Sequence, residues 1–408
     1  MKEFFALPRQ IQLREAMSFV ARILQSAVLP FMAMYYVQYF GAFWTGILMM
    51  VTQMVGFVAS LYGGHLADLW GRKKVIDWGL GLMALGYGLM VLANIPGHVL
   101  PLLTFVGILL AGTAGTFSWP AMDAMMIDLT DESNRRFVYT ISYWFINVSV
   151  MLGAGLAGLF YDHHFFEMLV VLTLVCGVNF FIAWKYFHET KPADLVFKHG
   201  AGPLSTIKNY SQVFEDRIFL LYTLGILLNS VVWMQIDNYI PVQLKSNFET
   251  VQLFGTTITS AKMLSILVFT NTVLIVLLMT TMNRLTKRMK LLPQLLLGGV
   301  IFALGMYGAL VLRSFLPLVL TSIFYTLGEM IYIPASQVLR AEMMDETKLG
   351  TYSGFVNMAH PLGSILAGGM VSLSSLTGSL GVELSYAFIA IAGLYLIYKS
   401  ARLHGIQA

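Results

Sequence analysis

Carboxylic acids inside long apolar stretches are the residues of this sequence best placed to do chemistry. Glu329 lies near the middle of one such stretch, with Tyr325 four residues before it and Tyr332 three residues after it. In a helix this spacing places all three residues on one face. Because an ionised carboxylate within a bilayer is costly, Glu329 is predicted to hold a proton, or to pair with an organic cation beside the two aromatic rings.

Glu329 also has a purely structural interpretation, in which the protonated acid bonds a neighbouring helix and does nothing more. Charges in other apolar stretches leave a similar choice open. Asp237 and Lys262 lie near the ends of consecutive stretches, and they form either a permanent ion pair or one that breaks on protonation. Asp123 either forms an ion pair with Arg22 or carries a proton itself.

A short polar run between two apolar stretches, Gly64 to Lys74, combines glycines with one acid and three bases. Gly64 and Gly71 allow the backbone to turn sharply. We expect the bases, Arg72 among them, to lie on the cytoplasmic side of the membrane, and that orientation does not require Asp68. Asp68 is therefore predicted to be a conformational switch, paired in one state of the protein and released in another.

The two halves of the sequence repeat one another. Pro120 is followed eight positions later by Asp128, and Pro334 is followed at the same spacing by Glu342. The next apolar stretch of each half also repeats, as Asn147, Gly153 and Gly158 in the first half and as Asn357, Gly363 and Gly368 in the second. This order supports a duplication. The two acids are then either equivalent switches or simple helix caps, and the glycines are predicted to allow close helix packing.

One histidine and the single cysteine also lie in apolar stretches. His360 is titratable near neutral pH, so it is either a proton relay or a hydrogen-bonding partner between helices. A lone Cys176 leaves no disulfide framework and no cysteine metal site within the chain. The sequence contains neither a histidine and acid cluster with metal spacing nor a phosphate-binding glycine loop, so no metal, no cofactor and no ATP coupling are predicted.

Apolar stretches long enough to cross a bilayer must position these residues. The 408 residues are 57% hydrophobic and only 11% charged, whereas soluble proteins carry about 25% charged residues. A membrane-spanning helix needs about 20 mostly apolar residues. Twelve stretches qualify, near 16–38, 43–63, 75–95, 101–127, 137–160, 165–187, 218–241, 257–283, 290–312, 315–340, 350–374 and 382–400. We therefore predict an all-α polytopic membrane protein with two six-helix lobes, at 1–187 and 218–408, joined by a cytoplasmic linker at 188–217.

Basic residues predict how the chain is oriented. Of the 25 Lys and Arg residues, all but four lie in segments that are cytoplasmic if both termini are inside. The exceptions are Arg22 and Lys262 within helices, and Lys245 and Arg313 in external loops. We expect a monomeric, multi-pass protein of a bacterial plasma membrane, in contact with membrane lipids and with both termini in the cytoplasm. The net charge of +4 then reports topology and does not indicate nucleic-acid binding.

Twelve predicted helices in two repeated halves resemble the major facilitator superfamily. The loop between the second and third helices carries the resemblance most specifically, since Gly64-x-Leu66-Ala67-Asp68-x-x-Gly71-Arg72-Lys73 matches the superfamily's signature except at Leu69, where an arginine is usual. Gly153-x-Gly155-x-x-Gly158 in the fifth helix looks like a degraded form of its glycine-rich antiporter motif. More narrowly, the chain is similar from end to end to one multidrug/proton antiporter of that superfamily.

The resemblance implies roles for individual residues. It assigns proton coupling or the binding of cationic drugs to four carboxylates, which are Asp68, Asp128, Asp237 and Glu329. One departure matters, because the fifth-helix acid of that antiporter is Ser142 here. Asp123 in the fourth helix is an acid where an amide is found in the resembled protein, so it is a candidate to replace the missing group.

The function predicted from the sequence is proton-coupled export of lipophilic, cationic small molecules by alternating access, and not an enzymatic reaction. Selective solute uptake or lipid translocation by the same fold is the alternative. A membrane enzyme or a non-transporting receptor is disfavoured, because the sequence shows no nucleophile or metal constellation and no sizeable soluble domain.

Overall fold

The computed structural model describes residues 2–131, 134–191, 210–253, 255–344 and 349–406, and most of them are helical. In chain order the helices are α1 (Lys2–Ala6), α2 (Arg9–Val28), α3 (Met32–Trp70), α4 (Arg72–Ala93), α5 (Pro101–Leu129), α6 (Arg135–Tyr186), α7 (Arg217–Trp233), α8 (Tyr239–Asn247), α9 (Ser260–Thr286), α10 (Leu291–Val311), α11 (Phe315–Glu342), α12 (Leu349–Asn357) and α13 (Ala359–Leu403). Short 3₁₀ segments are Leu29–Phe31, Tyr210–Glu215 and Met234–Ile236. Two small antiparallel hairpins pair β1 (Asn94–Ile95) with β2 (His98–Val99), and β3 (Val251–Leu253) with β4 (Thr256–Ile258).

Nine helical stretches in the described part of the chain are long and apolar enough to cross a membrane. Three of them, of 62, 50 and 53 residues, are long enough for two crossings at about 20 residues each. The longest helix in each stretch is interrupted by one residue with non-helical backbone angles, which is Gly41 in α3, His164 in α6 and Gly378 in α13. Gly41 and Gly378 have φ values of 72° and 68°, a region that glycine adopts without strain. The predicted all-helical membrane fold is confirmed, and the count of twelve crossings stays a prediction.

Residue contacts divide the chain into two compact units. Unit 1 comprises Met1–Leu29 and Val51–Ser205, and unit 2 comprises Pro30–Met50 and Thr206–Ala408. One of the three boundaries, between Ser205 and Thr206, falls inside the predicted linker, of which residues 192–209 lie outside the described part of the chain, whereas Pro30–Met50 of the predicted first lobe groups with unit 2. The lobe boundaries predicted from the sequence stay a prediction.

The same kinds of helix pair lie close together in each unit. In unit 1, α2 packs on α6 and α4 on α5, whereas in unit 2, α7 packs on α13 and α10 on α11. Glycines permit the first of these approaches. A Cβ atom added to Gly153 would lie 2.5 Å from the Ile23 carbonyl oxygen, and one added to Gly363 would lie 2.6 Å from the Ser230 Cβ. Gly158 lies on the same helix as Gly153 and is partly buried.

Each unit also has a buried apolar cluster. In unit 2 this cluster joins α7, α10, α11, α12 and α13 around the rings of Phe219, Tyr222 and Tyr332. A smaller cluster in unit 1 joins the beginning of α2 to the end of α5 and the beginning of α6. It includes Ile11, Met126 and Val138. These clusters hold in place the helices that carry the polar residues described below.

Candidate functional site

The signature loop forms a charged cluster at one end of unit 1. Gly71, with φ of 99°, separates α3 from α4 and lets Arg72 begin α4 directly after the turn. The buried Arg72 guanidinium lies 3.3 Å from an Asp68 carboxylate oxygen and 3.1 Å from Asp128 Oδ2. The structure therefore brings together Asp68, Arg72 and Asp128, with a single cation between two acids. Asp68 is the more exposed acid of the two, its side chain being 51% accessible against 17% for Asp128.

A segment that sequence reasoning missed, His188–Lys191 directly after α6, covers this cluster. Glu189 accepts hydrogen bonds from the backbone N–H groups of Arg72 at 2.9 Å and Lys73 at 3.2 Å, so it caps the beginning of α4. The Thr190 hydroxyl donates to Asp128 Oδ2 at 3.0 Å. Partial burial alone would raise the pKa of the Glu189 carboxyl, but the backbone N–H bonds outweigh it and hold that pKa below its usual range.

Glu189 had a signal in the sequence. It is an acid placed immediately after an apolar stretch that ends in a basic turn, and anionic groups are favoured beside the N-terminus of a helix. The sequence alone does not show which helix N-terminus Glu189 caps.

A second polar cluster lies inside unit 1, between α2, α5 and α6. Arg14 Nη1 lies 2.6 Å from Glu15 Oε1, and Arg14 Nη2 lies 3.6 Å from Asp123 Oδ1. The Ser142 hydroxyl donates to the same Glu15 oxygen at 2.8 Å. Glu15 is only 2% exposed, and sequence reasoning missed it.

The structure does not contain the ion pair between Asp123 and Arg22, which was one of the two alternatives drawn from the sequence. Asp123 pairs with Arg14 instead, and within the described residues no acid lies within 4 Å of the Arg22 guanidinium, which stacks over the Trp119 ring at 5.8 Å. Arg14 lies in the second turn of α2 and Asp123 in the second turn from the end of α5, so they are at the same height in this antiparallel packing. Arg22 lies about two turns further along α2.

These side chains line a cavity of about 360 Å³ within unit 1. Its charged lining residues are Arg14, Glu15, Arg22 and Asp123, and the aromatic ones include Trp119, Tyr139 and Tyr143. Two acids and two bases balance one another there, so a bound cation or proton would have to compete with a guanidinium group.

Glu329 in unit 2 has a different environment. The Asn271 side chain on α9 donates a hydrogen bond of 2.7 Å to Glu329 Oε2 and one of 3.1 Å to the Thr326 hydroxyl. The Tyr325 hydroxyl donates to the Leu267 carbonyl oxygen on the same helix, at 3.3 Å. Within the described residues no Lys, Arg or His lies within 4 Å of the Glu329 carboxyl group. Its hydrogen-bond partners are neutral.

The third residue of the predicted face, Tyr332, lies apart from Glu329. Its hydroxyl accepts a hydrogen bond of 3.1 Å from Asn229 on α7. It lines a second cavity, of about 440 Å³, together with His360 and Arg340. Glu329 and Tyr332 are separated by about 60° around the helix axis, and this separation directs Glu329 toward α9 and Tyr332 toward α7.

Asp237 and Lys262 do not form the ion pair that the sequence indicated. Lys262 Nζ donates to the Thr257 carbonyl oxygen at 2.9 Å, and no Lys or Arg in the described part of the chain lies within 4 Å of the Asp237 carboxyl group. Lys262 lies in the first turn of α9, so the adjacent hairpin provides the nearest acceptor. Asp237 ends the 3₁₀ turn between α7 and α8, and its side chain is exposed. Among the described residues, no group of three or more His, Cys, Asp or Glu side chains could hold a metal ion.

Curated relatives are transporters of bacteria. The chain is 26% identical over 353 residues to a Na(+), Li(+), K(+)/H(+) antiporter of Planococcus maritimus, with 83% of each chain covered. It is 25% identical over 346 residues to the multidrug resistance protein MdtH of Yersinia enterocolitica, covering 83% of this chain and 80% of that protein.

Solved structures share the fold. A POT family transporter in complex with 5-aminolevulinic acid superposes with a TM-score of 0.75 at 14% identity, with 97% of both chains covered. The nucleoside transporter NupG gives 0.73 at 13% identity, covering 96% of this chain and 99% of that one. The family model described as Major Facilitator Superfamily matches residues 16–368, and this chain is a membrane transporter that belongs to that superfamily.

Proposed function

We propose that this transporter is a proton-coupled antiporter that exports lipophilic organic cations by alternating access. The observation that carries the proposal is the environment of Glu329, a carboxyl group within a membrane helix whose hydrogen-bond donor is the neutral Asn271 amide. A carboxylate without a counter-charge is costly at this depth. The group therefore needs either a proton or a cationic substrate, and it cannot bind both at once.

Aromatic rings near Glu329 support an organic cation as the exchanged species. The Tyr325 side chain lies one helical turn before Glu329, and its ring meets the Phe302 ring edge-on at 6.4 Å. The Trp233 ring in turn stacks on the Phe302 ring, with 4.5 Å between the ring centroids. Faces of aromatic rings attract organic cations most strongly where water is excluded.

The cluster of Asp68, Arg72 and Asp128 supports a switching role in the same cycle. Arg72 is shared between the two acids, so the exposed Asp68 can release it without leaving a buried guanidinium unpaired. Glu189 holds the first N–H groups of α4 in either case. A few side chains can thus change partner while the helix beginning stays in place, which is the behaviour expected of a conformational switch.

Alkali-cation/proton antiport is a second candidate, because one relative of 26% identity carries that name. Glu329, Asn271 and Thr326 supply oxygen atoms, the ligand type that hard cations prefer. Proton coupling through Glu329 is common to both candidates, and the transported cation distinguishes them.

The experiment is transport by the purified protein in liposomes with an imposed pH gradient. We expect the parent to move tetraphenylphosphonium only when the gradient is present. Glu329→Gln lowers the gradient-driven rate by about 5- to 150-fold, as coupling free energies of about 1–3 kcal/mol imply, and Asp68→Asn slows it as well. Glu167→Gln, which removes an exposed acid, is the matched control and keeps the parent rate.

Two outcomes contradict the proposal. If transport ignores the gradient and both variants match the parent, proton antiport is wrong. If Na⁺ or K⁺ but no lipophilic cation is exchanged for protons, the alkali-cation function replaces the multidrug function.

A further inference from the structure

Ser142 stands where the resembled antiporter carries an acid, and the structure places another acid beside it. Glu15, on the neighbouring helix α2, accepts the Ser142 hydrogen bond at 2.8 Å and lies 2.6 Å from Arg14. Its side chain is nearly inaccessible, at 3%. A carboxylate is thus present in contact with position 142, although it belongs to the first helix of unit 1 instead of the fifth.

Arg14 lies between two acids that it holds unequally. Its contact with Glu15 is short and buried, whereas its contact with Asp123 is 3.6 Å long and the Asp123 side chain is 51% exposed. A guanidinium group drawn toward one carboxylate stabilises the charge of the other less. The strength with which Glu15 holds Arg14 therefore affects how easily Asp123 accepts a proton.

We propose that Glu15 is a positioning residue that sets, through Arg14, the pH at which Asp123 takes up a proton. The inference rests on the proposed function, because it takes Asp123 as the residue of unit 1 that exchanges protons. Glu15 acts through its short, buried contact with Arg14.

Other groups that face this cluster do not provide the same control. Arg22, on α2, stacks on Trp119 of α5 and has no acid within 4 Å in the described part of the chain. From α6 the cavity is lined by Ser142 and by the neutral rings of Tyr139 and Tyr143. Among the bases that the structure describes in this cluster, Arg14 contacts both Glu15 and Asp123.

Two substitutions shift the balance in opposite directions. Glu15→Gln removes the competing charge, so Arg14 turns fully to Asp123 and Asp123 protonates at a lower pH, by about one pH unit. Ser142→Asp adds a second acid beside Arg14, draws the guanidinium away, and raises the pH of Asp123 protonation by a similar amount. The double variant Glu15→Gln/Ser142→Asp moves the acid from the first helix to the fifth and returns the midpoint to near the parent value.

Infrared titration of the purified full-length protein measures this directly. The C=O stretch of the protonated carboxyl group that disappears in Asp123→Asn is followed against pH in the parent, both single variants and the double variant. Glu167→Gln is the control for removal of a remote acid and leaves the midpoint unchanged. If Glu15→Gln fails to fold, Ser142→Asp alone still tests the direction of the shift.

The inference is overturned if the single variants leave the midpoint unchanged or move it in the same direction, or if no titrating band is lost in Asp123→Asn. Neither substrate nor a pH gradient is present in this titration. A failure here is therefore distinct from a failure of gradient-driven transport, which tests the proposed function.

Discussion

Units 1 and 2 share their packing but differ in the chemistry that this packing encloses. Gly153 and Gly363 allow the same kind of close approach between helices. Yet unit 1 encloses a balanced group of charges in which Arg14 contacts Glu15 and Asp123, whereas the half-buried acid of unit 2, Glu329, is held by an amide. A duplicated fold thus preserves the residues that bring helices together, while the polar residues between them diverge.

The difference has a consequence for mechanism. A cation that approaches the acids of unit 1 competes with a guanidinium group that is already in place. Within the described residues no guanidinium group competes for Glu329, so a proton or a cation from solution must balance its charge. Under the proposed function, we infer that cation and proton exchange occur in unit 2 and that unit 1 holds a protonation site adjusted by Arg14.

The largest stability difference between the units should follow from removing one hydrogen-bond or ion-pair partner in each. Arg14→Gln leaves Glu15 buried without a counter-charge, which costs about 3–5 kcal/mol. Asn271→Ala leaves a carboxyl group that can take a proton, and we expect a loss of about 1–3 kcal/mol. The free energy of unfolding, measured by titration with a denaturing detergent, gives both values.

Arg9→Gln is the matched control for that comparison, because Arg9 is an exposed arginine at the beginning of the same helix. It should change the free energy of unfolding little. Equal losses for Arg14→Gln and Asn271→Ala would show that the two clusters are not electrostatically different.

A smaller effect tests the shared packing. Gly153→Ala and Gly363→Ala each place a Cβ atom against a neighbouring helix, so each should lose about 1–3 kcal/mol of stability. Gly177→Ala is the control, since nothing lies within 4 Å of its added Cβ and alanine is favoured over glycine in a helix. Thermal unfolding of the three variants in detergent checks the order. If only one of the first two is destabilised, the packing is not equivalent in the two units.

The helix breaks were predictable from the sequence. Each gap between predicted apolar stretches at 39–42, 161–164 and 375–381 contains the single non-helical residue that interrupts a long helix, which is Gly41, His164 or Gly378. Membrane helices are specified by length and hydropathy, which are local properties of the chain. The clustering of Asp68 with Arg72 was also predictable, because the two residues are four positions apart.

Partners on different helices were not predictable in the same way. Pairing of Asp123 with Arg22 was one of two alternatives, but pairing depends on the relative height of two helices, and hydropathy defines that height only to within a turn or two. Glu15 was missed because it directly precedes the predicted stretch 16–38 and was therefore grouped with the polar N-terminus. Glu189 was missed because its contact with α4 joins residues that are 117 positions apart.

Proton release on cation binding tests the central claim most directly. Tetraphenylphosphonium is added to the purified protein in a weakly buffered detergent solution, and a pH-sensitive dye reports released protons. We expect the parent to release protons in proportion to bound cation, Asp123→Asn to retain this release, and Glu329→Gln to lose it. Unchanged release from Glu329→Gln would contradict the assignment of cation and proton exchange to Glu329.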